Sequence, residues 1–469
     1  MTAEQEVERL LQEVLKGTSF EHSAFAVGGF VRDGLLGIES KDLDIVVEKP
    51  DGARELAQFI HDRFPDEVTN PHNMGAGYPI HQITFKKNVG EFKTAGAVIE
   101  FADTQKESFP DPTTRQRMTI FGTLEEDVKR RDFTINMLMR DLSNGLLIDM
   151  ANGHEALKNG ILDGHPEVDP RKTFSDDPLR MLRLVRFVAK FGFKVSDRVR
   201  EAVRESKERI VIVSAERVRD ELIKMMLMGK LAESIELMDE LGLLPEVLPE
   251  ISVMRGVEHD TSRGFHMEGD VFNHVMLVVK NAKPTVTHQL GALLHDIAKP
   301  ATQEIKGDKI TFIGHEDVGE GMATDTMKRL KFDSNTISDV ALTVKHHMRP
   351  HALVRHGLKM KSVRKLMRKV GDKVDLLLDL VEADSLGNLP VENHVPQIRE
   401  MVKEASAIPM KAKGAVLNGK EIMEVLGVSP GPIIGRVTNF LKDKEDDFAS
   451  EGEILSVEKA KELVLERFG

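Results

Sequence analysis

Residues 28–46 read GGFVRDGLLGIESKDLDIV and place Asp42 and Asp44 two apart in an apolar run. Residues i and i+2 of a strand project to the same side, so the two carboxylates stand together while Leu43 and Ile45 face the other way. Like charges this close repel unless a cation lies between them. A pair of Mg2+ ions is the usual solution, and it is also the machinery of phosphoryl transfer. Glu100, in the run Val98-Ile99-Glu100-Phe101, is the candidate third carboxylate from a neighbouring strand. Taken alone, Asp-x-Asp fits an edge strand with two solvated acids better than a metal site. The preceding Gly28 and Gly29 change that weighting. They let the backbone approach a ligand closely, and the helix start that follows offers free N–H groups. Arg32, about one turn further on, can reach a triphosphate.

Two more stretches carry charge in patterns that suit phosphates and bases. In EEDVKRRDFTINM (125–137), Arg130, Arg131 and Asp132 precede a half-buried run. Arg131 suits a phosphate, and Asp132 or Asn136 suits either loop ordering or a ribose. In DDPLRMLRLVRF (176–187), Pro178 suits the first turn of a helix behind an acidic cap. Asp177, Arg180, Arg183 and Arg186 recur every three residues as one drifting stripe, while Leu182, Val185, Val188 and Ala189 form a packing face. An Asp–Arg pair offers acceptors and donors in fixed geometry and can hydrogen-bond base edges in a pocket made of protein. A salt-bridged surface helix has the same pattern.

The second half is marked by histidines: HMEGDVFNH at 266–274, LLHDIAKP at 293–300, GHEDVG at 314–319 and VKHHMRPH at 344–351, followed by VEADSLGN at 381–388. An adjacent His-Asp on a helix, an upstream His and a downstream Asp can close a metal site from separate helices. Neutral imidazole with carboxylate suits a divalent transition metal.

These groups need elements to hold them. Residues 4–16 pattern as a short amphipathic helix. From 24 to about 150 the pattern alternates: AFAVGGF passes from strand to helix, LDIVVEK is a strand and GARELAQFIHDRF a helix. HQITFKK, AVIEFAD and LLIDM are further strands, with loops over 70–79 and 106–120. After Asp176 the period is helical, broken near 255–270, 300–314 and 385–397. The chain of 469 residues is long enough for several domains. It has no cysteine, which excludes disulfides, thiolate metal sites and a cysteine nucleophile. It has no apolar run of about 18 residues and no secretory pattern, so the expected location is cytoplasmic, away from any membrane. The net charge of −12 excludes a uniform basic coat for nucleic acid. Local stripes, at Arg180 to Arg204 and at RHGLKMKSVRKLMRK (355–369), are either phosphate-binding or solvated helix faces.

The order GGFVRD, DLD, RRDFTIN, DDPLRMLRLVRF strongly resembles the class II tRNA nucleotidyltransferases and their bacterial poly(A) polymerase relatives. SAERVRDELIKMM, with Arg217, Glu221 and Lys224, is similar to a later helical motif of that family. The resemblance spans roughly residues 22–250. It implies an α/β head of the polymerase-β nucleotidyltransferase type followed by an all-α neck, body and HD domain. It also implies that Asp42 and Asp44, with Glu100, hold two Mg2+ ions. Gly28, Gly29, Arg32 and Arg131 would meet the triphosphate, with Asp132 and Asn136 beside them. Asp177 and Arg180, with Arg183 and Arg186 nearby, would read the base. The implied activity is template-independent addition of CCA to the 3′ end of tRNA from CTP and ATP. Asp176 departs mildly from the family's Glu, and Gln105 stands where relatives often carry Arg. Poly(A) relatives tend to carry a basic GRRF-type stretch that GAGYPIHQITFKK lacks, which favours CCA addition over poly(A) addition; addition of only part of CCA is the other alternative.

The histidine series resembles the HD phosphohydrolase domain. That resemblance implies His274, His295, Asp296 and Asp384 as principal ligands of Ni, Mn, Fe or Mg. His315, with His347 or its neighbour His346, would serve a second metal or the substrate phosphate. The implied chemistry is phosphatase or 2′,3′-cyclic phosphodiesterase action; a retained, inactive domain is the alternative, as is an HD hydrolase whose head only binds nucleotide. The organisation expected is a head at 1–150, helical neck and body at 151–254, HD domain at 255–404 and helical tail at 405–469. In the tail, Gly431-Pro432 either caps a helix or meets an RNA phosphate. tRNA, CTP and ATP are the expected partners, with a homodimer as the assembly to test.

Overall fold

The first half is built on short strands, of which Ala24–Val27, Leu43–Val47 and Val98–Asp103 are mostly apolar, the latter two carrying acids where a ligand is expected. These are β1 (Ala24–Val27), β2 (Leu43–Val47), β3 (His72–Asn73), β4 (His81–Thr84), β5 (Val98–Asp103), β6 (Gln105–Ser108), β7 (Met118–Phe121), β8 (Met139–Asp141) and β9 (Leu147–Ile148). The computed structural model describes all residues except 75–77, 109–117, 260–268, 308 and 408–414. Parts of the loops expected over 70–79 and 106–120 therefore lie outside the described residues. The flanks of both differ from expectation, because β3 and the β6–β7 pair form there, held by backbone pairing to β4 and to each other.

The main sheet has seven strands in the order β3-β4-β5-β2-β1-β8-β9. β2 is thus an interior strand, parallel to β5 and antiparallel to β1, so the solvated-edge reading of Asp-x-Asp falls away. The strand begins at Leu43, and Asp42 stands one residue before it. The sequence gives little sign of β8, whose three residues include an Arg and an Asp.

Helices cover the sheet for the expected reason. The Gly52–Arg63 helix buries Ala53, Leu56, Ala57 and Ile60, an i, i+3, i+4 face. The Ala3–Val14 helix opens on a capping box of Thr2 and Gln5 and buries Val7, Leu10 and Leu11. The Leu179–Phe191 helix buries Met181, Leu182, Leu184 and Val185, and Phe187 meets Phe133 edge-on at 6.0 Å. One compact unit comprises Met1–Ser214 with Leu241–Glu246; the other comprises Ala215–Glu240 with Val247–Gly469.

In the second unit, the Val271–Asn281, Val286–Leu294, His315–Arg329, Ser334–His346 and Val374–Gly387 helices pack as a bundle. A terminal module has its own core of Leu417, Ile422, Val437, Leu441 and Val464. The basic stretch 355–369 leaves Arg355, Lys359, Lys365 and Lys369 exposed, but one face of its helix is covered. Its Met360–Val370 helix lies against the Pro432–Ser450 helix, whose residues 443–447 include four acids. Lys361 pairs with Asp447 at 2.5 Å and Lys365 with Asp443 at 2.6 Å. Arg364 and Arg368 both grip Asp446, at 3.0 and 2.5 Å. The Arg364 and Asp446 side chains are 1% and 0% exposed, so neither charge has water as a fallback. Asp446→Ala should therefore cost about 3–5 kcal/mol by leaving buried guanidinium charge unpaired. Asp443→Ala, at a half-exposed pair, should cost under about 1 kcal/mol. Urea unfolding of the two variants checks the contrast.

Candidate active site and metal centre

Val27 ends β1, and Gly28 turns the chain at φ 64°, a conformation that favours glycine, into the Gly29–Leu35 helix. The strand register then sets the chemistry. Val27 lies opposite Asp44, and Asp44 lies opposite Glu100. Asp42, Asp44 and Glu100 thus converge beside the glycine turn. Asp44 is exposed at the surface of the sheet, but the protein packed around it lowers its solvation, and repulsion from Glu100 and then Asp42 adds to this, so its carboxyl is pushed up to about 6. A site that crowds three acids until one resists ionising is suited to divalent cations. Gln82, opposite Glu100 on β4, donates from Nε2 to Glu100 Oε1 at 3.1 Å. Arg131 borders the turn, its Nη1 3.7 Å from where a Cβ on Gly28 would sit. It is held there by Asp127, at 3.0 and 2.8 Å, and by the carbonyl of Asn136. Burial opposes ionisation of Asp127, but Arg131 and Arg130 outweigh it and hold the carboxyl below its ordinary range.

The other expected residues form a brace behind this cleft. Arg32 is buried, donates to Asp33 at 2.7 Å and Asn136 at 2.5 Å, and lies over the rings of Phe187 and Phe191. Asp132 accepts from the Phe133 N–H, Asn136 Nδ2 and Arg183 Nε at 2.9, 2.9 and 2.7 Å. Of the two roles open to Asp132 and Asn136, loop ordering is the one these bonds serve. Arg180 is buried and donates to the carbonyls of Thr173 and Arg130. Asp177 Oδ1 accepts from the Leu179 N–H, and the Arg186 guanidinium lies 4.4 Å from the Phe187 ring centre. The stripe and the Arg130-Arg131 loop therefore meet, through Arg180–Arg130 and Arg183–Asp132. Gln82 and Asp127 escaped the sequence reading. Asp127 had a signal, three and four residues before two arginines on a helix; Gln82 had none, because strand register is not written locally.

In the second unit two buried ligand sets face each other: His274, His295 and Asp384, and Asp296, His315 and His347. Asp296 serves both. Its Oδ2 lies 3.2 Å from His295 Nε2 and 3.7 Å from His274 Nε2; its Oδ1 lies 3.3 Å from His315 Nε2 and 3.8 Å from His347 Nε2. Nδ1 of His295, His315 and His347 each bonds the carbonyl three residues earlier, at 2.8, 2.8 and 2.7 Å. Those bonds place the proton on Nδ1 and aim Nε2 lone pairs inward, the arrangement of metal ligands. His315 and His347 Nε2 stand 3.2 Å apart, and His295 Nε2 is buried with no hydrogen bond. Two facing lone pairs need a proton or a metal ion between them, so the residues fit a metal centre. Between the adjacent histidines, His347 points inward, while His346 Nδ1 accepts from Arg349. Burial, with His295 next, pushes His347 down to about 3. For Asp296, burial opposes ionisation, but His295 and Lys299 outweigh it and hold the carboxyl well below its ordinary range. Lys299 Nζ lies 2.7 Å from Asp296 Oδ2, and His351 Nε2 3.0 Å from Asp384 Oδ2; neither was picked out from sequence. The centre opens on a cavity of about 880 Å³ lined by His259, Phe312, His351 and Arg355.

Three family models match the chain in order: the poly A polymerase head domain over residues 24–163, the probable RNA and SrmB-binding site of polymerase A over 192–254, and the HD domain over 271–389. The A-adding tRNA nucleotidyltransferase of Deinococcus radiodurans is 30% identical, aligned over 90% of this chain and 92% of that protein. The CC-adding tRNA nucleotidyltransferase of Thermus thermophilus is 28% identical over 94% and 93%. The crystal structure of the Bacillus stearothermophilus CCA-adding enzyme in complex with CTP shares the fold at a TM-score of 0.65, with 20% identity and coverage of 100% of this chain and 98% of that one. Head, ligand sets and matches define a nucleotidyltransferase with a polymerase-type head and an HD domain. The chain belongs to the tRNA nucleotidyltransferase family. Among the described residues, no helix is long and apolar enough to cross a membrane.

The raised Asp44 carboxyl has a stability consequence. The folded state binds that proton more tightly than the unfolded one, so ionised Asp44 opposes folding above about pH 6, and the cost fades as pH falls toward 4. Asp44→Asn should melt higher than wild type at pH 8 without metal, with the gap closing by about pH 4. Mg2+ should raise the melting temperature of wild type more than that of the variant.

Proposed function

We propose that the chain adds nucleotides from CTP and ATP to the 3′ end of tRNA, completing CCA and releasing pyrophosphate. The observation that carries this reading is the row of Asp44 and Glu100 beside the Gly28 turn, with Asp42 and Arg131 at its rim. When bound, paired Mg2+ ions lower the pKa of the attacking 3′-hydroxyl and neutralise the leaving pyrophosphate. Asp42, Asp44 and Glu100 hold them. Gly28, Gly29 and Arg131 face the triphosphate, and Asp177 and Arg180 meet the base once Arg180 exchanges its bonds to the Thr173 and Arg130 carbonyls for it. Arg32, Asp132, Asn136 and Arg183 keep that surface at a fixed distance from the phosphates, and Arg186 lies beside it. Positioning of this kind is most of what the protein contributes to phosphoryl transfer. The relatives named A-adding and CC-adding favour a second reading, addition of part of CCA.

In this reading residues 1–150 are the catalytic head, 151–254 the neck and body, 255–404 a phosphohydrolase domain and 405–469 a tail. In the HD centre His274, His295 and Asp384 would hold one divalent ion and Asp296, His315 and His347 a second, supplying the Lewis acidity for hydrolysis of phosphate esters such as RNA 2′,3′-cyclic ends.

Purified protein given tRNA lacking CCA, with labelled CTP and ATP singly and together, should add C, C and A in order and stop. Incorporation of one nucleotide type alone supports the partial reading, and an open-ended A ladder overturns both. Asp42→Ala should abolish transfer and spare phosphate release from a 2′,3′-cyclic end; His295→Ala should do the reverse. Elemental analysis should find two divalent ions per HD centre in wild type and one in His315→Ala.

A further inference from the structure

The register that aligns the carboxylates continues past them. Glu100 lies opposite Gln82 on β4, and Gln82 lies opposite His72 on β3. Directly paired residues project to the same face of a sheet. Asp44, Glu100, Gln82 and His72 therefore form one row, stepping roughly 5 Å from strand to strand. Their neighbours Leu43, Ile45, Ile83, Ile99 and Phe101 are buried on the opposite face. His72 is exposed and Gln82 half-buried, so the row opens outward at its β3 end.

The two ends of the row differ chemically. At the β1 end stand the glycine turn and Arg131, the triphosphate side in the reading above, on which this inference rests. In-line phosphoryl transfer requires the attacking oxygen and the leaving pyrophosphate on opposite sides of the phosphorus. With pyrophosphate toward β1, the attacker comes from beyond Glu100, over β4 and β3. Nothing else in the reaction needs that ground, and the groups there suit a ribose. Gln82 spends Nε2 on Glu100 at 3.1 Å, which turns its amide oxygen into an acceptor for a hydroxyl.

We propose that Gln82 and His72 form the seat for the 3′-terminal ribose of the acceptor RNA. The Gln82 amide oxygen accepts from the terminal 2′-hydroxyl while its Nε2 orients Glu100. His72, one strand further out, contacts the preceding nucleotide. Gln82 thereby ties the placement of the third carboxylate to the presence of a ribose, and the 2′-hydroxyl is the group by which a protein distinguishes RNA from DNA.

The test uses the full chain and two acceptors, tRNA transcripts whose last nucleotide carries either ribose or 2′-deoxyribose. Wild type should prefer the ribose end in kcat/KM. Gln82→Met should lose about five- to tenfold of that preference, the worth of one hydrogen bond, with the KM for nucleotide unchanged. Gln82→Glu keeps an acceptor oxygen but repels Glu100, so kcat should fall while the preference stays. His72→Ala should raise the acceptor KM alone. A residue that only props Glu100 would slow both acceptors equally and leave their ratio fixed; an unmoved ratio in a transferring Gln82→Met variant, or a wild type with no preference, overturns the proposal. A wild type that transfers nothing removes the function reading itself.

Discussion

The head is organised around one uncomfortable contact: the parallel pairing that sets Asp44 directly against Glu100. Left to itself, such a contact would splay the strands or protonate. The neighbouring elements prevent the first. β2 and β5 are interior strands, their alternate residues Leu43, Ile45, Ile99 and Phe101 are locked into the core, and the Gly52–Arg63 helix packs behind them. The second occurs in part, since Asp44 keeps its proton to about pH 6. The sheet thus sets two acids side by side where a cation would relieve their repulsion.

The HD centre solves the same problem with different parts. Here the ligands come from separate helices, so backbone pairing cannot align them. Alignment comes from the Nδ1 bonds of His295, His315 and His347 to carbonyls three residues back, each within its own local turn. The head uses register between strands, and the second unit uses side-chain tethers within single segments. That difference explains why the histidines gathered here could be picked out from short stretches of sequence. Even so, the choice of His347 over His346 was open until the helix phase was fixed.

Legibility in the head was uneven for related reasons. Asp42, Asp44 and the Gly28 turn sit in one short stretch and could be read directly. Glu100 was recognisable as an acid in an apolar run. Gln82 and His72 gain meaning only from which strand lies beside which. Arg32, whose position after two glycines suggests a phosphate ligand, has contacts that no local pattern announces. The stack on Phe187 and Phe191 and the bonds to Asp33 and Asn136 make it a strut, and those partners lie up to 159 residues away in the chain.

The clasp between the Met360–Val370 and Pro432–Ser450 helices bears on what the chain touches. Lys361, Arg364, Lys365 and Arg368 would make a good polyanion-binding stripe, and the acids at 443–447 cover it. The Pro432–Ser450 helix supplies those acids from the same chain, held beside the basic helix at high local concentration. A chain cut short before residue 432 would lose the carboxylate that meets the buried Arg364 guanidinium, so the two helices stand or fall together.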